Sequence, residues 1–575
     1  MTTDSGAISA LQTSNRFFLA TLLVISLAAC GGSQSPGGGS SSSDASGNNG
    51  NADGGGNSGN PDDMTGDGAG DGNGDGGDQS NNGLPDNRFA MAGGCYGLKS
   101  VASDGFITPA GAGYTANTAD SASAEAFFFQ PATLGKYLLY SSDETLLTPA
   151  ENSSVGASET PSDNAIFTVD FDDSDSSFSF TSDGTGEALT VDSSGNLITS
   201  GTAGRFTIIP TLKTCAEYPE IATNVRGETF KGNGVNKPVI GFADVHTHMG
   251  MSSEMSYAGD VGPSAGGALY GEIFHRFGVA HALGNCQDFH GPNGTRDGNN
   301  ILATDPTGMH DTIGWPTFVD WPARNFLTHQ VMYYRWVERA YLAGLRLMVN
   351  HGTNIAALCR IGAMYSNMPE ADCNDMSVAI KQVEYLYDME DYVDARSGGP
   401  GKGWFRIVKS PQEAREVIND GKLAIVLGVE VAQVLNCGVT FVANTGQEIR
   451  NCDEAQIDAE IQQLWDLGVR HVYPYHDIDS SLGGTGIFSE NVINYLNFLD
   501  TGAFWKTEEC REYPTDEPSV REPGAEQTTA IPQSGMDPIS MAFFQAAEGA
   551  LPVYPAGRRC NSRHVTDLGE YALNA

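Results

Sequence analysis

Between Gly31 and Pro85 the chain carries only two large apolar side chains, Met64 and Leu84, in a background of Gly, Ser, Asn and Asp. Such a tract cannot bury enough surface to offset the entropy of ordering its backbone, so it separates what precedes it from what folds behind it. As a Gly-rich coil of 55 residues it has a root-mean-square span of about 40 Å. Asp67, Asp71, Asp75 and Asp78 alternate with Gly, but the run lacks the twelfth-position Glu of a calcium loop and reads as a solvated tether. The charge is uneven: of a net −40 over 575 residues, 31–85 contributes eight Asp and no Lys or Arg, and 86–220 contributes 18 acidic against 5 basic side chains. That balance repels phosphate backbones and anionic headgroups, which excludes nucleic acid and a polybasic membrane contact as partners.

Ahead of the tether, Arg16 precedes the apolar run Phe17–Ala29, and Leu27-Ala28-Ala29-Cys30 ends it. The run is too short to span a bilayer comfortably. The segment resembles a bacterial lipoprotein signal. The resemblance implies that 1–30 is a signal peptide with its lipobox, that Cys30 carries the lipid, and that the protein is anchored in the cell envelope, periplasmic or at the cell surface. An ordinary secretory signal with an incidental Cys is the alternative.

From 86 to 220 short apolar strands alternate with Ser, Asp and Gly turns and no helical period is visible. Gly135–Thr148 echoes Gly186–Thr199 as strand, turn and strand, and Phe167-Thr168-Val169 echoes Phe206-Thr207-Ile208. Two copies without a third suggest a small β-rich, trefoil-like module, with spacing or glycan binding as its role.

After Val239 the texture becomes apolar strands alternating with amphipathic helices. Strands are expected at Val239–Val245, Leu345–Asn350, Leu423–Val429 and Arg470–Pro474, and helices at Asn325–Ala343, from Ser410-Pro411, and at Asp453–Leu467 ending on Gly468. This texture favours a parallel α/β sheet or barrel, so the fold class expected is multidomain: a small all-β module followed by an α/β, TIM-barrel-like domain over 221–575.

The chemistry is expected at strand ends. In Asp244-Val245-His246-Thr247-His248 the two His share a face, and paired neutral imidazoles suit zinc. Leu423–Val429 ends in Glu430, a charge that is costly at a buried strand end unless paired or metal-bound. His476 follows the fourth strand, as ligand or substrate contact with equal weight. His275, His281, His290 and His310, with Asp288, read as surface loop residues; His329 lies on a helix and His351 ends a strand, where it could line the pocket.

These pieces resemble the membrane dipeptidase (renal dipeptidase) family of the amidohydrolase superfamily. His246-Thr247-His248 stands where that family has H-x-D, Gly421-Lys422-Leu423-Ala424 and Gly428-Val429-Glu430 match its third strand, Leu467–His476 its fourth, and His564–Glu570 the opening of a later helix. The resemblance implies a hydrolase of amide bonds in dipeptides or related small acyl substrates, with one or two zinc ions held by His246, His248 and a bridging Glu430. It assigns His476 to the substrate carbonyl. The family's later His and Asp ligands have no counterpart before Ala575, so an incomplete barrel with an open edge is expected, from a truncated reading frame or a partial sequence, which impairs activity and favours aggregation or assembly with a missing part. Rival functions are an amidohydrolase of other specificity, a deacylase or lactonase, and a non-catalytic glycan-binding lipoprotein.

Cys95 with Cys215, Cys359 with Cys373, Cys437 with Cys452 and Cys510 with Cys560 would close loops in an exported protein, leaving Cys286 over; sequence does not settle the pairing.

Overall fold

The computed structural model describes residues 85–211, 213–223, 225, 229, 231–250, 272–283, 332–365, 372–487, 493–509 and 559–575, without the side chains of 361–365 and 559. Cys30, Cys286, Asp288, His290, His310, His329 and Cys510 lie outside them. Among the described residues no helix is long and apolar enough to cross a membrane.

The first part is built from twelve strands: β1 (Cys95–Ser100), β2 (Phe106–Ala110), β3 (Gly113–Thr118), β4 (Phe127–Thr133), β5 (Lys136–Tyr140), β6 (Leu146–Pro149), β7 (Val155–Ser158), β8 (Ile166–Asp172), β9 (Ser177–Ser182), β10 (Ala188–Val191), β11 (Leu197–Ser200) and β12 (Phe206–Pro210). Antiparallel pairings β1–β4, β4–β5, β5–β8, β8–β9, β9–β12 and β12–β1 close a six-stranded ring. The hairpins β2–β3, β6–β7 and β10–β11 form a cap, joined through Gly113↔Gly156, Thr115↔Asn196 and Ser154↔Ile198. Ring and cap thus repeat a four-strand unit three times, in a trefoil-like arrangement.

Alternation explains the packing. Phe127 and Phe129 on β4, Phe167 and Val169 on β8, and Phe206 and Ile208 on β12 hold equivalent positions and all point inward, each at most 2% exposed. Burying each such side chain stabilises by about 1.5–3 kcal/mol. The echo between 135–148 and 186–199 is corrected here, because it equates β5, a ring strand, with β10, a cap strand. The unit starting at β1 is the third copy.

A disulfide between Cys95 and Cys215 joins the first ring strand to the segment leaving the module. Tyr218 in that segment donates from its hydroxyl to the Phe277 carbonyl at 2.7 Å, Arg276 pairs with Asp163 at 2.9 Å, and Tyr218 and Phe277 pack against Leu138 and Tyr140. The β module therefore rests on the second part through a mixed apolar and polar contact.

The second part comprises β13 (Phe242–Thr247), α1 (Val279–Ala282), α2 (Tyr334–Leu342), β14 (Leu345–Asn354), α3 (Ala356–Tyr365), α4 (Asp375–Arg396), β15 (Phe405–Ile407), α5 (Pro411–Asn419), β16 (Leu423–Val431), the hairpin β17 (Val439–Phe441) and β18 (Glu448–Arg450), α6 (Glu454–Leu467), β19 (Val469–Val472), α7 (Ile493–Thr501), the pair β20 (Thr507–Glu509) and β21 (Arg559–Asn561), and α8 (Asp567–Asn574). The capping signals act as their residue types dictate. Ser410 Oγ accepts from the Glu413 amide with Pro411 in the first turn, Asp453 accepts from the Gln456 amide, and Gly468 ends α6 at φ 94°. The helix expected over Asn325–Ala343 is seen from Tyr334.

Five strands form a parallel sheet in the order β13-β14-β16, with β15 against the N-terminal end of β16 and β19 against its C-terminal end. Leu423, Ile425, Leu427 and Val429 share one core with Met376, Ala379, Val383 and Leu386 of α4. Ala424 and Val426, on the opposite face, pack with Ala414 and Ile418 of α5.

The TIM-barrel-like expectation is corrected by this arrangement. The largest sheet is the twelve-stranded antiparallel one, and the parallel sheet is open: β13 has one strand neighbour among the described residues, with Phe242 52% and Val245 63% exposed. A barrel needs two neighbours for every strand. The face a barrel would turn to its lumen is instead covered over its lower half by α5.

Candidate metal centre

Beyond α5 that same face carries the polar cluster. In strands alternate residues share a face, so Gly428 and Glu430 continue the row of Ala424 and Val426. The register pairs of β14, β16 and β19 bring His351 and His471 to either side of Gly428, and β13 adds His246.

The His-x-His segment is held by the neighbouring strand. Thr247 Oγ1 donates to the Val349 carbonyl at 3.0 Å, and the Met249 amide donates to Asn350 Oδ1 at 2.6 Å, with Asn350 fully buried. His246 Nε2 lies 2.6 Å and His248 Nε2 3.2 Å from Glu430 Oε2, and one ligand atom from each of the three residues lies within 4.8 Å of the others. The structure thus brings His246, His248 and Glu430 together.

Their proton inventory tests whether a cation fits. His248 Nδ1 is 3.2 Å from the His351 carbonyl, which can only accept, so the proton is on Nδ1 and a neutral His248 presents a lone pair at Nε2. That lone pair faces a carboxylate. Burial alone would raise Glu430, but a hydrogen bond from a His248 protonated at Nε2, the charge of a protonated His476 and the His246 hydrogen bond outweigh it and hold the group down at about 2. A neutral His248 sets an acceptor against Glu430 at 3.2 Å, which a proton on Nε2 or a bound cation resolves, and a carbonyl-oriented imidazole beside a carboxylate is a donor set suited to zinc.

His476 Nε2 is 3.1 Å from Glu430 Oε1 and 3.4 Å from Asp477 Oδ2, while its Nδ1 is buried without a partner. It therefore contacts the centre through Glu430. Asp477 is buried and adopts a left-handed backbone, φ 61°, an uncommon conformation for a residue with a side chain.

Several contributors escape sequence reasoning. His471 Nδ1 lies 2.8 Å from His351 Nε2, and Tyr473 stacks on His246 with ring centroids 5.4 Å apart. Burial first, then the charges of His471 and His248, lower His351 to about 4. Only the strand-end position of His351 hinted at this. His275 is buried, against expectation: desolvation, then His281 and Arg276, lower it to about 3, and Nδ1 accepts from the Phe277 amide.

Asp375, at the start of α4, ties the strand ends beneath the cluster, accepting from Asn354 Nδ2 at 2.9 Å and from the Gln433 amide at 2.7 Å. Burial, then the Asp500 carboxylate, push it up from 3.8 to about 8 against those hydrogen bonds. The folded state thus keeps a proton that the unfolded chain releases, so this group's contribution to stability falls as pH rises through the window from 3.8 to about 8. Denaturant midpoints measured across that window should show a fall that shrinks in Asp375→Asn, whose overall level drops by about 1 kcal/mol for a disturbed hydrogen bond. Equal slopes in both proteins would contradict this.

No family model matches the sequence, and no curated protein matches it. Solved structures resemble part of the chain. They include a GlcNAcα1-4Gal-releasing endo-β-galactosidase from Clostridium perfringens (12% identity, 20% of this chain and 32% of that one, TM-score 0.18). A second is the β-1,3-galactosidase BT0265 (14% identity, 22% and 30%, TM-score 0.20). A third is SeviL bound to asialo-GM1 saccharide (12% identity, 21% and 99%, TM-score 0.19). This chain spans about a third of the length of the two galactosidases.

Proposed function

We propose that this chain is a metal-dependent hydrolase acting on amide or related acyl bonds of small substrates. The observation that carries the reading is the convergence of His246, His248 and Glu430, whose ligand atoms lie within 4.8 Å of one another. His246, His248 and Glu430 would hold the ion, zinc by donor type. When bound, such an ion supplies Lewis acidity, polarising an acyl carbonyl and acidifying water. His476 holds a proton at Nε2 against Glu430 Oε1 and so fixes the carboxylate. Its contact with a substrate carbonyl, the bridging role of Glu430 and the dipeptide substrate class rest on the motif resemblance alone, and none of the structural neighbours named above is a dipeptidase. Attachment through a lipid on Cys30 belongs to the same proposal.

The test is zinc analysis of purified protein together with a hydrolysis panel of dipeptides, N-acyl amino acids and lactones. In a His246→Ala, His248→Ala double variant turnover should be lost and zinc retention should fall. Equal zinc retention by that variant would sink the reading.

A second reading assigns the protein a glycan-binding role. Its support is the threefold repetition of the β module, which presents three equivalent cap hairpins and so suits multivalent contact with a repeating ligand. Binding to a galactose-containing saccharide that persists in the double variant, without metal-dependent turnover in the wild type, would favour this role.

A further inference from the structure

We propose a second divalent-metal position on this face, held by His351 and His471 across Gly428 and distinct from the His246, His248 and Glu430 centre. The three residues are register partners on β14, β16 and β19. The middle one has no side chain, and that absence is what lets the flanking rings meet. A Cβ at 428 would stand 2.4 Å from His351 Cδ2 and 2.9 Å from its Nε2, closer than packed atoms tolerate. The row therefore reads as a built gap with two imidazoles turned into it.

Their nitrogens meet in a hydrogen bond whose proton a metal would displace: His351 Nε2 and His471 Nδ1 are 2.8 Å apart with ring planes at 73°. Two nitrogens on one zinc at about 2.0–2.1 Å each are separated by about 3.0–3.4 Å, so small ring rotations convert the pair into a chelate. His351 is fully buried and its Nδ1 has no partner, so packing rather than a hydrogen bond at that nitrogen fixes the ring. The rings of His246 and Tyr473 lie 5.2 Å from it. His471 is exposed, which leaves the remaining coordination positions to water or substrate. With imidazole donors and no carboxylate of its own, the position suits zinc, cobalt, nickel or copper and disfavours magnesium and calcium.

Metal-stripped, tag-free full-length protein would be titrated with Zn(II) and Co(II), with ions per chain counted by mass spectrometry and calorimetry. Wild type should take up about two equivalents, and His471→Ala about one. Because His471 is exposed, its loss should leave the fold intact, as circular dichroism would check; His351→Asn serves as a second variant. The His246→Ala, His248→Ala protein should keep about one equivalent, at the proposed position. Uptake that is unchanged in His471→Ala and His351→Asn would overturn the proposal while leaving the hydrolase reading intact. Loss of all binding in every variant would also overturn it, by showing one inseparable cluster. Loss of one ion in His471→Ala with none lost from the double variant would uphold it and remove the hydrolase centre instead.

Discussion

Glu430→Gln should lose zinc retention at least about a hundredfold, since outer-shell substitutions around metals already cost 10–100-fold, and should lower hydrolysis on the order of a thousandfold. Gln keeps the length and shape of the side chain and removes only the charge. In the native protein Glu430 is 4% exposed and receives His246 and His248 at one oxygen and His476 at the other. With an amide in its place the site loses its negative ligand and a neutral His248 would face a group that can donate to it, so affinity for a cation falls. Zinc affinity by competition with a chelator, and turnover on the best substrate of the panel, are the measurements. A variant that binds zinc as tightly as wild type would show that the carboxylate is a structural partner of three imidazoles and not a ligand.

The second large effect concerns the β module. Replacing Cys95 and Cys215 together by Ser should lower its stability by about 2–5 kcal/mol. The bond closes a sequence separation of 120 residues and ties the ring's first strand to the segment that carries Tyr218 into the second part. Urea unfolding of oxidised wild type and the double variant would measure the loss, with fluorescence of the six tryptophans, all of which follow the β module in sequence, reporting on the second part and circular dichroism on the whole. A change under about 0.5 kcal/mol, the usual size for surface substitutions, would mean that ring closure by β1–β12 pairing suffices without the cross-link.

Local signals carried much of the second part. Alternation placed His246 and His248 on one face, burial of an apolar strand singled out Glu430, and Ser410, Asp453 and Gly468 marked helix ends that the structure shows. What stayed hidden was non-local. In sequence Gly428 stands out only as part of Gly428-Val429-Glu430; its place between two His appears when register puts one on each side. The third β repeat was missed because units are equivalent by ring and cap position, and β1 and β5 share little sequence. The TIM-barrel-like class was misjudged for a related reason: strand-helix alternation is equally compatible with a sheet covered on both faces, and nothing in the periodicity of 411–419 indicates which face α5 covers.

The separation along the chain between His246 and Glu430, 184 residues, has a kinetic meaning. Contacts so distant form late, after the intervening helices and strands have reduced the effective loop. The donor set therefore does not exist in the nascent or unfolded polypeptide, and an ion cannot act as its folding nucleus. If the proposed centre binds an ion, loading would follow assembly of the sheet and would occur in the compartment in which the chain finishes folding.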